Sequence, residues 1–222
     1  MNEHIVIVTG ASPLPRHVIE AVPASAIVLG ADGGLDLALA AGLHPSALIG
    51  DLDSVSADGR AWAESNATIT AHPTDKDQTD TELALAFAAD MQPERLTIVG
   101  GGDRLDHTVA ALGALAAPHL TGVPTLDAWW DGQHVDVLHG PARRTLHLEP
   151  GSTLSLLAIR GLCRTVHLDG VRWPLDARDL EPVIGLGVSN EVTGPDGEVR
   201  VSVSTGVLII FDHPRPPEGA TP

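Results

Sequence analysis

Short runs of β-branched and other apolar residues recur along the first 130 positions, at 5–8, 26–29, 47–49, 68–71, 96–99 and 125–129. Between them lie alanine- and leucine-rich stretches with apolar residues at helical spacing, at 16–21, 35–41, 58–64, 80–91 and 105–116. The first set has the length and composition of strands, the second the period of helices facing a core. Strands alternating with helices predict a parallel sheet covered on both faces. From about residue 133 the helical period disappears. Short alternating runs at 145–148, 153–159, 165–168, 188–193, 198–204 and 207–211 take over, separated by turn signals such as "PG", "DG" and "GPDG". That pattern predicts an antiparallel sandwich. The expected fold is therefore α/β: a three-layer, parallel-sheet domain over 1–132, followed by a β-sandwich domain over 133–222. The proline-rich end, "HPRPPEGATP", is expected to fray.

Composition narrows the chemistry. Twenty-nine acidic residues against 13 basic ones give a formal charge of -16. Such a surface repels a phosphate backbone, which argues against a nucleic-acid partner. A single cysteine, Cys163, cannot form an internal disulfide, and its place in the run "LCRTVHL" makes it a small buried hydrophobe rather than a nucleophile. The N-terminal apolar run is too short for a signal peptide or a membrane span. A cytoplasmic location is expected.

In a parallel α/β sheet, ligands gather beyond the carboxyl ends of the strands. Four segments stand there: "GADGGLD" (30–36), "IGDLDSV" (49–55), "HPTDKDQTDTE" (72–82) and "VGGGDRLDHT" (99–108). Asp51 and Asp53 are two apart, so in extended backbone both carboxylates face one point and suit a hard cation. The competing reading is an Asx-rich turn that caps the next helix. Thr79 and Glu82 form a capping box that starts a helix and sets Asp80 in its first turn, where the helix dipole alone favours an acid. Together with Asp75 and Asp77 these acids would repel one another unless a cation sat among them. Lys76 is the only lysine in the chain. It is either a solvated turn residue or a second cation for phosphate. Glycines before Arg104, Asp106 and His107 allow close backbone approach to a phosphate, and Arg104 suits a phosphate clamp. His107 also fits a capping or core role. No GxxxxGK[ST], GxGxxG or GxSxG motif is present.

Taken in order, "ADGGLD", "IGDLDS", "DKDQTDTELAL", "GGDRLDHT" and "GLGVSNE" with "VSVSTGVLIIF" resemble the thiamine diphosphokinase (thiamine pyrophosphokinase) family across most of the chain. The resemblance implies transfer of the pyrophosphoryl unit of ATP to the hydroxyl of thiamine, giving thiamine diphosphate and AMP, in a homodimer. Carried over by motif, Asp51, Asp53 and Asp80 are the Mg²⁺-binding and catalytic carboxylates, with Asp51 or Asp80 as the base. Asp32, Gly33, Gly34, Lys76, Asp77, Thr79, Arg104, Asp106 and His107 form the ATP set, while Ser189 and Asn190 contact thiamine. Trp173 either packs on the thiamine rings or fills the sandwich core. One departure is Ala111, where the family tends to carry an Asn. A diphosphokinase for a pterin alcohol, a DxD phosphohydrolase and a non-catalytic thiamine or nucleotide sensor remain as alternatives; "GVSNE" favours thiamine.

Overall fold

The computed structural model describes residues 4–10, 12–102 and 104–213. The proline-rich end from 214 onward and Asp103 of the glycine-rich turn lie outside the described residues. The chain divides into two compact units, 1–132 and 133–222.

The first unit runs β1 (His4–Thr9), α1 (Arg16–Ala21), β2 (Ile27–Ala31), α2 (Gly34–Ala40), β3 (Ala47–Gly50), α3 (Ala57–Asn66), β4 (Thr68–Ala71), α4 (Asp80–Asp90), β5 (Arg95–Gly100), α5 (Leu105–Ala114) and β6 (Thr125–Trp130). The strands lie in the order β6-β5-β1-β2-β3-β4, all parallel. Both faces of β1 are buried, since Ile5 to Val8 are all sealed from solvent. Val6 packs with Val18 of α1, and Val8 with Ala38 of α2. Leu48 of β3 meets Leu35 of α2 and Ala63 of α3. Helix α4 docks through Ala84, Leu85 and Ala88. Continuous apolar strands under helices on both sides are what a parallel sheet requires. The strand order reverses at β1, whose neighbours are β2 and β5. A reversal of this kind opens a crevice beyond the carboxyl ends of the strands.

One glycine fixes how α2 meets the sheet. A Cβ on Gly34 would stand 2.0 Å from the Val8 carbonyl oxygen, and one on Gly10 would stand 2.7 Å from Gly33 and Gly34 backbone atoms. The helix therefore starts in direct backbone contact with β1, and the "ADGG" turn is held at the end of β2.

The second unit holds β7 (Gln133–His139), β8 (Ala142–His147), β9 (Thr153–Ala158), β10 (Cys163–Asp169), β11 (Leu175–Leu180), β12 (Asn190–Glu191), β13 (Glu198–Val203) and β14 (Val207–His213). They form two antiparallel sheets, β12-β9-β14-β7 and β11-β10-β13-β8, over a core that includes Leu154, Leu156, Val166, Leu168, Val199, Val201, Leu208 and Ile210. Cys163 belongs to that core with no exposed surface, and burial pushes its thiol up to about 11.

Three differences from the sequence reading concern this unit. Strands β7 and β11 were not expected, and the expected strand 188–193 shortens to a two-residue pairing with β9. β7 carries a half-buried His134 and a buried Asp136, which masks its apolar pattern; Arg144 Nε lies 2.9 Å from Asp136 and offsets that charge. β11, "LDARDL", is a charged edge strand with only its terminal leucines buried, a composition that protects an edge from further pairing.

Overfilling a packed contact costs about 1–3 kcal/mol. Gly34→Ala is expected to lower the free energy of unfolding read from urea melts by at least that amount, and an unchanged value would mean that α2 can step away from Val8.

Candidate active site

The residues that follow β2 and β3 and precede α4 converge. Carboxylate oxygens of Asp32, Asp51 and Asp80 lie within 4.8 Å of one another. Asp32 sits directly after β2 with φ 47°, and Asp51 directly after β3. Asp80 opens α4, whose start is held by the reciprocal Thr79–Glu82 capping box. Gly50 makes the convergence possible: a Cβ there would meet Asp80 Oδ1 at 2.9 Å and Asp32 Cβ at 3.1 Å, and its φ is +145°. The Asp51 amide donates to Asp80 Oδ1 at 3.2 Å, tying α4 to the end of β3.

Lys76 lies among these acids. Its Nζ is 2.7 Å from Asp51 Oδ2 and 3.1 Å from Asp80 Oδ1, with 14% of the side chain exposed. Burial works against its charge, but the hydrogen bonds and charges of Asp51 and Asp80 outweigh it and hold the ammonium above its ordinary value. The same Lys76 hydrogen bond, helped by the Asp53 amide, holds the Asp51 carboxyl below the usual range. Asp32 moves the other way: burial raises it, against hydrogen bonds from Ser54 and Gly33. One cation in a cleft with three acids is the arrangement that like-charge repulsion demands.

The other expected residues fall in different places. Asp53 follows Asp51 through a left-handed Leu52 at φ 67° rather than extended backbone; its amide donates to Asp51 Oδ1 at 3.3 Å, while its carboxylate is not one of the three that lie within 4.8 Å of one another. Its carboxylate accepts from Ser54 Oγ at 2.8 Å on the cavity wall. Asp75 and Asp77 are exposed and outside the cluster. Arg104 grips Asp106 through Nε at 3.1 Å and Nη2 at 2.6 Å, which keeps the Asp106 carboxyl low. His107 is exposed and lines the cavity. In the second unit Trp173 is 56% exposed, so it does not fill the sandwich core, and the Arg172 guanidinium lies 4.9 Å over its ring. Asn190 is buried and spends its amide on Trp173: Oδ1 accepts from Trp173 N at 3.0 Å and Nδ2 donates to Trp173 O at 2.7 Å. It positions Trp173. Ser189 is exposed, with φ 60°.

A cavity of about 620 Å³ joins these elements in the first unit. Asp32, Asp51, Lys76, Thr79 and Asp80 line it on one side; Thr9, Gly101, Gly102, Thr108, Ala111 and Trp130 line it on the other. Its position at the carboxyl ends of the strands, across the reversal at β1, is that of a nucleotide site in this class of fold.

Two family descriptions match the chain in sequence: "Thiamin pyrophosphokinase, catalytic domain" over 19–125 and "Thiamin pyrophosphokinase, vitamin B1 binding domain" over 143–208. The chain belongs to the thiamin pyrophosphokinase family. The thiamine pyrophosphokinase of Bacillus subtilis (strain 168) is 27% identical over 186 residues, covering 82% of this chain and 85% of that protein. Its fold matches the crystal structure of thiamine pyrophosphokinase from Bacillus subtilis with a TM-score of 0.79 and 24% identity, over 96% of this chain and 100% of that one. The thiamin pyrophosphokinase of Candida albicans matches with a TM-score of 0.77 at 14% identity, over 95% of this chain and 89% of that one. An α/β unit with a parallel sheet followed by antiparallel sheets is thus the fold of the family. No helix among the described residues is long and apolar enough to cross a membrane.

The pairing of Lys76 with Asp51 has a pH signature. A carboxyl held low in the folded state adds stability above its unfolded value, and that stability is lost as pH falls through the folded one. Lys76→Met is therefore expected to unfold at lower urea than the parent at pH 7. The gap should close as pH drops below the ordinary carboxylate range of about 4. A gap independent of pH in urea melts would show that Lys76 contributes through packing alone.

Proposed function

We propose that this chain transfers the pyrophosphoryl group of ATP to the hydroxyl of thiamine at the Asp32–Asp51–Asp80 cleft, giving thiamine diphosphate and AMP. The observation that carries the reading is three carboxylates gathered around one lysine, in a nucleotide-type crevice of a thiamin pyrophosphokinase catalytic domain. The match to a vitamin B1 binding domain favours thiamine over a pterin alcohol, and a complete acid cluster argues against a silent sensor.

The donor set is all oxygen, and the cleft already concentrates a cation between Asp51 and Asp80. It fits a hard divalent ion, for which we assign Mg²⁺; Asp32, Asp51 and Asp80 would hold it. Bound there, the ion supplies charge neutralisation to the phosphates. The protein's own groups do the rest. Lys76 is placed to follow the triphosphate, and backbone at Gly33 and Gly102 allows its close approach. The thiamine hydroxyl oxygen bonds to the β-phosphorus as the bond from that phosphorus to the α,β-bridging oxygen breaks, AMP departs, and the hydroxyl proton passes to a carboxylate. Asp51 and Asp80, both contacted by Lys76, are the carboxylates placed to accept it. Alignment and charge neutralisation, rather than covalent participation, carry such a reaction.

Trp173, set by Asn190 and exposed, is assigned to the thiamine rings, with Ser189 beside it. Val183, Ile184, Leu186 and Val188 are also exposed in the same unit. An apolar patch of that kind suits burial against a second copy, and we assign a homodimer. A single buried cysteine accords with a cytoplasmic location.

With ATP, Mg²⁺ and thiamine the protein is expected to form AMP and thiamine diphosphate in equal amounts; ADP, or AMP formed without thiamine, would overturn the reading. Asp51→Asn should lower turnover by about 10²–10⁴-fold with the fold intact by circular dichroism.

A further inference from the structure

The cavity is chemically two-sided. The strands β2 and β3 and the start of α4 contribute Asp32, Asp36, Asp51, Asp53, Asp80 and Lys76. The β5, α5 and β6 side contributes Gly101, Gly102, His107, Thr108, Ala110, Ala111 and Trp130, with no acid, arginine or lysine among the described lining residues. In sheet order β6 stands four places from β3. Neighbouring strands are about 4.8 Å apart, so the two sides are separated by roughly 19 Å along the carboxyl edge. A ligand that fills such a space is elongated, anionic at one end and flat and apolar at the other.

Trp130 is the one tryptophan, phenylalanine or tyrosine among the described lining residues. It ends β6, where the alternation of a strand turns it away from Trp129, which packs with Val6, Val18 and Val99. Its indole is held at both edges. Nε1 donates to Thr108 Oγ1 at 3.2 Å, and Cζ3 lies over Gly100, where a Cβ would come within 3.1 Å. The indole N–H is thereby satisfied inside the protein.

We propose that Trp130 is the platform on which the nucleotide base stacks, with Thr108 as its positioning residue and Ala110 and Ala111 as the apolar wall beside it. The inference rests on the reading of ATP as a substrate, and it assigns the end of the cavity that the acid cluster does not use. Stacking of a base on an aromatic ring changes affinity by about tenfold to a hundredfold.

The test compares Trp130→Leu, which keeps apolar bulk without a ring, with Trp130→Phe, which keeps a ring. Trp130→Leu is expected to raise the KM for ATP and the dissociation constant for labelled AMP in equilibrium dialysis by at least tenfold. It should leave the KM for thiamine and inhibition by tripolyphosphate, which has phosphates but no base, within about twofold. Trp130→Phe should recover most of the loss. Equal weakening of ATP and tripolyphosphate, or unchanged AMP binding in Trp130→Leu, would overturn the proposal. AMP dialysis needs no turnover, so it separates failure here from failure of the proposed reaction.

Discussion

Three carboxylates drawn to within 4.8 Å of one another are an electrostatic liability that the rest of the first unit exists to hold in place. Asp32, Asp51 and Asp80 come from two strand ends and a helix start, and they would separate if any of those elements were free to move. The bare backbone of Gly50 brings them close, and the Asp51 amide bonded to Asp80 keeps them there. Lys76 offsets that repulsion by placing its ammonium against two of the three. The opposed behaviour of the carboxyls follows: Asp51 is kept acidic by its lysine, whereas Asp32, further from it in bonding, is raised by burial.

The surrounding packing serves that constraint. Helix α4 is docked through Ala84, Leu85 and Ala88, small and medium side chains that let it lie close to the sheet, and its capping box fixes where the chain turns inward at Asp80. Helix α2 starts against β1 because Gly34 has no side chain, which holds the "ADGG" turn and hence Asp32. The reversal of strand order at β1 supplies the crevice, so fold and chemistry meet at one edge of the sheet. In the second unit, the buried amide of Asn190 is consumed in fixing an exposed Trp173, a use of a polar group that makes sense for presenting a ring to a ligand.

Much of this was legible in the sequence, and the exceptions have physical causes. Alternation of β-branched runs with helical stretches located every strand and α-helix among the described residues of the first unit, though not the 3-10 turn at Pro118–Leu120, and the Thr79–Glu82 spacing marked the start of α4. Asp51 and Asp53 do stand together, but through a turn rather than the extended backbone their spacing suggested, because the left-handed backbone at Leu52 carries no side-chain signal. Asp32 was assigned to the nucleotide rather than to the acid cluster, since sequence distance conceals that β2 and β3 are neighbours. Lys76 was read as a solvated turn residue or a cation for phosphate; it lies against Asp51 and Asp80, contacts that its place in a turn of the sequence does not reveal. Strands β7 and β11 escaped notice because charged residues interrupt their pattern, in one case paired with a half-buried arginine and in the other facing solvent. Trp130 had a usable signal in the period of two at the end of β6, which separates it from its neighbour Trp129.

The central proposal is that Asp32, Asp51 and Asp80 hold the cation, where the sequence reading set Asp51, Asp53 and Asp80. Divalent binding measured by electron paramagnetic resonance of Mn²⁺ added to the nucleotide-free protein tests it directly. The account predicts that Asp32→Asn weakens binding about as much as Asp80→Asn does, while Asp53→Asn leaves most of it. Binding that survives Asp32→Asn and is lost in Asp53→Asn would contradict it.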